Sequence, residues 1–74
     1  MGQLSVREYD MLERAIVDAA RIAVVRQGSE LLVIPEKLLM RAGKESIVAR
    51  HPTTGASMTI PLDEVERISV VPRR

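Results

Sequence analysis

Arg21-Ile22-Ala23-Val24-Val25-Arg26-Gln27-Gly28-Ser29-Glu30-Leu31-Leu32-Val33-Ile34-Pro35 is the stretch that decides the fold. Two short β-branched runs flank a Gln-Gly-Ser turn signal, so Arg21–Arg26 and Glu30–Ile34 are expected to form a hairpin. Pro35 is expected to stop the second strand, because proline cannot donate to a ladder.

Upstream of this stretch the period of the pattern is helical. Ser5-Val6-Arg7-Glu8 has the spacing of a capping box, with the Ser5 hydroxyl and the Glu8 carboxylate each reaching the other's backbone. A helix over about residues 5–20 follows. Tyr9, Leu12, Ile16 and Ala19 fall on one face of it, and Arg7, Asp10, Arg14 and Asp18 on the other. Asp10 and Arg14 have the favourable i,i+4 spacing. Met11 and Val17 stand outside the apolar stripe and are candidate contacts with another chain.

Downstream, Pro35–Arg41 is expected to be one helical turn or an irregular crossing that ends at Gly43. Ser46–His51 and Ala56–Ile60 form a second hairpin around Pro52-Thr53-Thr54-Gly55. Pro61–Val65 has the look of a tight 3₁₀ turn, and Arg67–Val71 of a closing strand. The tail, Pro72-Arg73-Arg74, is expected to fray. Gly28, Gly43 and Gly55 are isolated, as turn residues are, and none belongs to a phosphate-cradling loop.

Composition limits what such a chain can do. Its 74 residues make one domain spanning 1–74. A body this small has a thin stability margin, and without cysteine neither a disulfide nor a thiolate metal site can widen it. The 46% apolar fraction is generous for the size, which favours self-association as a homo-oligomer. Eleven basic against ten acidic residues give a net charge of +1, a weak footprint for a dedicated nucleic-acid binder. Tyr9 is the sole aromatic residue, too few for a base-stacking surface. No apolar run approaches a membrane span, and the first residues lack a secretory pattern, so a cytoplasmic location is expected.

Chemistry is hard to find in these residues. His51 is the only histidine and has no ligand partner at metal-binding spacing. Asp63-Glu64-Val65-Glu66 is the only acidic cluster, and it lacks the glycine and spacing of a calcium loop. No serine sits in a nucleophile-elbow context, so no catalytic residue, metal or cofactor is expected, and the chain is not expected to be an enzyme. The groups Lys37, Arg41, Lys44 and Arg67, Arg73, Arg74 are most simply solvated faces, since acids are interspersed throughout. Tyr9 is most simply a core residue with its hydroxyl at the rim. As the sole aromatic beside Asp10, it is alternatively part of a binding surface.

One helix followed by five short strands and tight turns describes an α+β domain that is mainly β. The order of elements resembles that of Sm-like and SH3-like small barrels, five-stranded and antiparallel, with the barrel over about residues 21–71. Closure is favoured over an open sheet because it removes exposed edges.

Within the helix, Tyr9-Asp10-Met11-Leu12-Glu13-Arg14-Ala15 reads Y-D-x-L-E-x-A. This resembles the opening helix of the Rof family, small bacterial inhibitors of the transcription termination factor Rho. The Gly28–Leu31 turn, the connection bearing Leu38 and Leu39, the turn at Gly55 and the element Leu62-Asp63-Glu64-Val65 follow in matching order, so the resemblance covers roughly residues 8–70. It implies an Sm-like, non-catalytic module that occludes the RNA-loading surface of Rho and so inhibits transcription termination. Because that surface is basic, the resemblance assigns the contact to acidic residues, here Asp10 and Glu13, with Tyr9 adjoining.

A second similarity is to the WYL domain, an Sm-like module of bacterial transcription regulators. It runs through Val33-Ile34-Pro35 to Leu38, Ile47-Val48-Ala49, and Gly55 to Ile68. The competing function is direct binding of RNA or a ligand, as in such a module, with Arg21, Arg26, Arg50 and Arg67 of the barrel's basic rim as candidates. A bare oligomeric scaffold is the third reading.

Overall fold

The computed structural model describes residues 4–71. The expected frayed tail at 72–74 lies outside them. One helix precedes five strands: α1 (Val6–Asp18), β1 (Ile22–Arg26), β2 (Ser29–Arg41), β3 (Lys44–Arg50), β4 (Ser57–Pro61), the 3₁₀ turn η1 (Leu62–Glu64) and β5 (Arg67–Val70). The domain is α+β and mostly strand, as the sequence leads one to expect.

The capping box forms as its residues predict. The Ser5 hydroxyl accepts from the Glu8 backbone N–H at 3.1 Å, and the Glu8 carboxylate accepts from the Ser5 N–H at 3.0 Å. The other end falls short of residue 20. Ala19 takes the left-handed conformation at φ 53° and caps the helix, with its N–H and that of Ala20 bonded back to Ile16 and Ala15. Ala19 is therefore exposed rather than part of the apolar stripe, and Ala15, beside Leu12, takes the buried position. Met11 is half-buried, whereas Val17 is exposed as expected of a residue outside the stripe.

The sheet has the order β4-β3-β2-β1-β5, antiparallel at every pairing. Pro35 does not stop the second strand, which continues to Arg41, so no helical turn follows it. The reason lies in the register. Pro35 is opposite Ala49 and Lys37 opposite Val48, with a bulge at Glu36 between them. A bulge is one of the places where proline is tolerated within a sheet. It also resets the alternation of faces. Leu31, Val33 and Pro35 share the inner face, and without the extra residue Lys37 would follow them inward. With it, Leu38 turns in, opposite the fully buried Ile47.

Two-residue turns close both hairpins of β2. Gln27 and Gly28 have φ of 50° and 75°, and Ala42 and Gly43 have 53° and 78°. Positive φ at both central positions suits the right-handed twist of the flanking strands, and glycine at the second position carries it without strain.

The ladder joining β1, β2 and β5 and the one joining β2, β3 and β4 share one core. Leu12, Ile22, Val24, Val33, Ile47, Ile60, Val65 and Ile68 all belong to a single buried cluster. Ile60 lies on one edge strand and Ile68 on the other, so the sheet must curl around this core, with α1 on β2 and β5. Among the described residues no backbone hydrogen bond joins β4 to β5, and η1 bridges them instead. The observed sheet is curled, without the complete ladder of a closed barrel.

Candidate functional site

Helix α1 has two unlike faces. The inner one carries Leu12 and Ala15 into the core, and Glu8 ties it down. Besides serving the capping box, the Glu8 carboxylate accepts from the Ile68 backbone N–H at 3.1 Å, sixty residues away. The backbone donors of Ser5 and Ile68 hold this carboxyl below its ordinary pKa, helped by the Ser5 hydroxyl and the charge of Arg67. One carboxylate thus caps the helix and covers an outward N–H of the edge strand β5.

The outer face is free. At 3.6 residues per turn, Val6, Asp10, Glu13 and Val17 lie within one narrow arc opposite Leu12 and Ala15. All four are exposed. Among the described residues, neither Asp10 nor Glu13 belongs to an ion pair, and Asp10 does not reach Arg14 despite the spacing. The two acids named by the sequence therefore stand together, solvated and available.

Tyr9 is not on that arc. It is half-buried, packs against the core cluster and borders an open cavity of about 350 Å³ between the start of α1, the β2–β3 turn and η1. Lys44 and Asp63 line the same cavity, their charged atoms 4.0 Å apart on largely exposed side chains. Nothing in this lining pairs a nucleophile with a base. Tyr9 is a core residue with an exposed margin.

Of the four arginines of the alternative basic rim, Arg21, Arg50 and Arg67 share the outer face of the sheet by strand parity, and Arg26 turns to the other. Arg26 pairs with Glu64 at 3.4 Å, and Arg50 with Glu36 at 3.8 Å. Arg50 is opposite Ile34, and Arg21, preceding the Ile22–Val33 pair, approaches Ile34 from the other side. Arg26 and Arg67 lie toward the far end of β1, where Arg67 is opposite Val25 and Arg26 opposite Ser29. Consecutive strand positions point to opposite faces, so these two diverge.

His51 has a structural task. Its Nδ1 accepts from the backbone N–H groups of Thr53 and Thr54 at 3.2 and 3.3 Å, shaping the turn into β4. Leu62 and Val65 of the Leu62–Val65 element are buried, so that part of the Rof-like pattern serves the core. Among the described residues no three potential metal-ligating side chains come together, and no helix is long and apolar enough to cross a membrane.

Sequence reasoning passed over Val6 and the second task of Glu8. Val6 was discoverable, since the steps 6, 10, 13, 17 repeat the spacing of a helical face. The reach of Glu8 to Ile68 was not, because it depends on how the sheet curls. Compared with known proteins, the chain matches no family model and no curated protein.

Proposed function

We propose that this chain is a non-catalytic binding module whose outer helix face meets a basic protein surface. In the Rof-like reading that surface is the RNA-loading face of Rho, and the mechanism is steric and electrostatic occlusion of RNA, acting in the cytoplasm. The observation that carries the proposal is the pair Asp10 and Glu13, exposed on one arc and outside every ion pair among the described residues. Free carboxylates at adjacent helical turns attract a cationic partner and repel phosphate. Direct RNA binding is less favoured, because Arg26 and Arg50 already face acids and Arg26 is turned away from the other three arginines.

The test is capture of purified Rho on the immobilised chain, with and without nuclease. Retention of Rho after nuclease is expected, falling at least about tenfold in the Asp10→Lys, Glu13→Lys variant, in keeping with loss of charged contacts. Recovery of RNA without Rho overturns the proposal in favour of direct RNA binding.

A further inference from the structure

Val6 and Val17 are 79% and 83% exposed, the highest values for large apolar side chains among the described residues. Neither enters the core, and neither caps the helix. They stand eleven residues apart, which is three helical turns and about 16 Å along the axis. Asp10 and Glu13 lie between them on the same arc. The centre of the arc therefore reads apolar, acid, acid, apolar, with the exposed Arg14 at its margin.

We infer that the outer face of α1 is one continuous docking surface in which Val6 and Val17 are apolar anchors at either end of the acid pair. Its occupant is a basic protein surface with an apolar site on each side of a cationic centre. This rests on the helix-face function proposed above and adds the surface pattern its partner must have.

Charge decides between candidate occupants. A second copy docked helix to helix, antiparallel, would set Val6 against the other copy's Val17, which is favourable. The same register sets Asp10 against the other copy's Glu13, and Glu13 against its Asp10. A parallel pairing sets each acid against itself. Like charges meet at the centre of both arrangements, and Arg14 stands only at the margin of the arc. Nucleic acid is disfavoured by the same carboxylates, and the only aromatic ring is committed to the inner side. A cationic protein surface satisfies the acids, and apolar sites beside it remove the valines from water.

The two kinds of contact separate by their salt dependence, because burial of valine is insensitive to ionic strength and the carboxylate attraction is screened. The experiment is titration of purified Rho with the parent chain, with Val6→Ser, Val17→Ser, and with Asp10→Lys, Glu13→Lys, each over a range of salt. The serine variant is expected to bind about tenfold more weakly with the parent's salt dependence. The lysine variant is expected to bind at least about tenfold more weakly and to lose or reverse the parent's fall of affinity with salt. Melting temperatures of both variants serve as the folding control. If the parent binds Rho and the serine variant binds equally well, the anchors are overturned while the helix-face function stands. If the parent does not bind Rho, that function fails and this inference fails with it. A parent dimer in sedimentation that the serine variant abolishes overturns the basic occupant in favour of a second copy.

Discussion

The two faces of α1 are made from the same thirteen residues and do opposite things. The inner face is committed to the core and the sheet, with Tyr9 and Ile16 packed half-buried at its edge. Leu12 is fully buried, Ala15 nearly so, and Glu8 serves both the helix start and β5. On the outer face, Val6, Asp10, Glu13 and Val17 are exposed, and the two acids belong to no ion pair. A short helix is marginal in water by itself and depends on docking one face. Once that face is docked, the other is released from any part in stability and is open to recognition. The contrast implies that substitutions on the two faces separate cleanly, inner ones acting on folding and outer ones on binding.

The largest break in this comparison is Leu12→Ala. Truncating a fully buried leucine costs about 2–5 kcal/mol. A domain of 74 residues has about 4–11 kcal/mol in all. The variant is expected to melt at least about 8 °C lower by circular dichroism. An unchanged melting curve would mean that the helix is not docked, and the division between faces would collapse.

Glu8→Gln probes the inner face more finely. Glutamine offers one carbonyl oxygen where the carboxylate offers two, so it cannot serve Ser5 and Ile68 together. The expected loss is about 1–2 kcal/mol at neutral pH, typical of a cap and a charge-assisted hydrogen bond. The pH dependence has a definite sign. The folded-state pKa of Glu8 is lowered, so its contribution is full above the unfolded carboxylate range. It is lost as pH falls through the folded value. Denaturant midpoints of parent and variant should therefore differ at neutral pH and converge in acid. A gap that persists unchanged in acid would remove Glu8 as the tie between helix and sheet.

These residues also show where the sequence was legible. The capping box was visible because both partners lie within four positions, and the two hairpins because their turns are marked by Gly28 and Gly55. Asp10 and Glu13 were named through the resemblance of Tyr9–Ala15 to the Rof opening helix, and their shared arc follows from helical geometry. Pro35 misled, since a local rule takes it as a strand end. Its tolerance depends on the bulge at Glu36, and that bulge is defined only by the register against Ala49 and Val48. The division of Arg21, Arg26, Arg50 and Arg67 was hidden for the same reason. Strand parity turns Arg26 away from Arg21, Arg50 and Arg67, which share the outer face, and Arg26 and Arg50 are matched to acids from other parts of the chain.

The smallest expected effect sharpens the comparison most. Val6→Ser with Val17→Ser, and separately Asp10→Lys with Glu13→Lys, should each leave stability within about 0.5 kcal/mol of the parent, as exposed substitutions away from caps and core do. The lysine variant carries two small costs. Reversing Asp10 removes a favourable charge near the helix start and sets a lysine one turn from Arg14, each a matter of tenths of a kcal/mol. Removing two exposed valines relieves apolar hydration in the free protein without opening a cavity. A melting temperature that falls by 8 °C or more in the serine variant would show that the valines are covered in the protein as it exists in solution. The outer face would then be a structural contact rather than a free one, and the asymmetry of α1 would belong to a larger assembly.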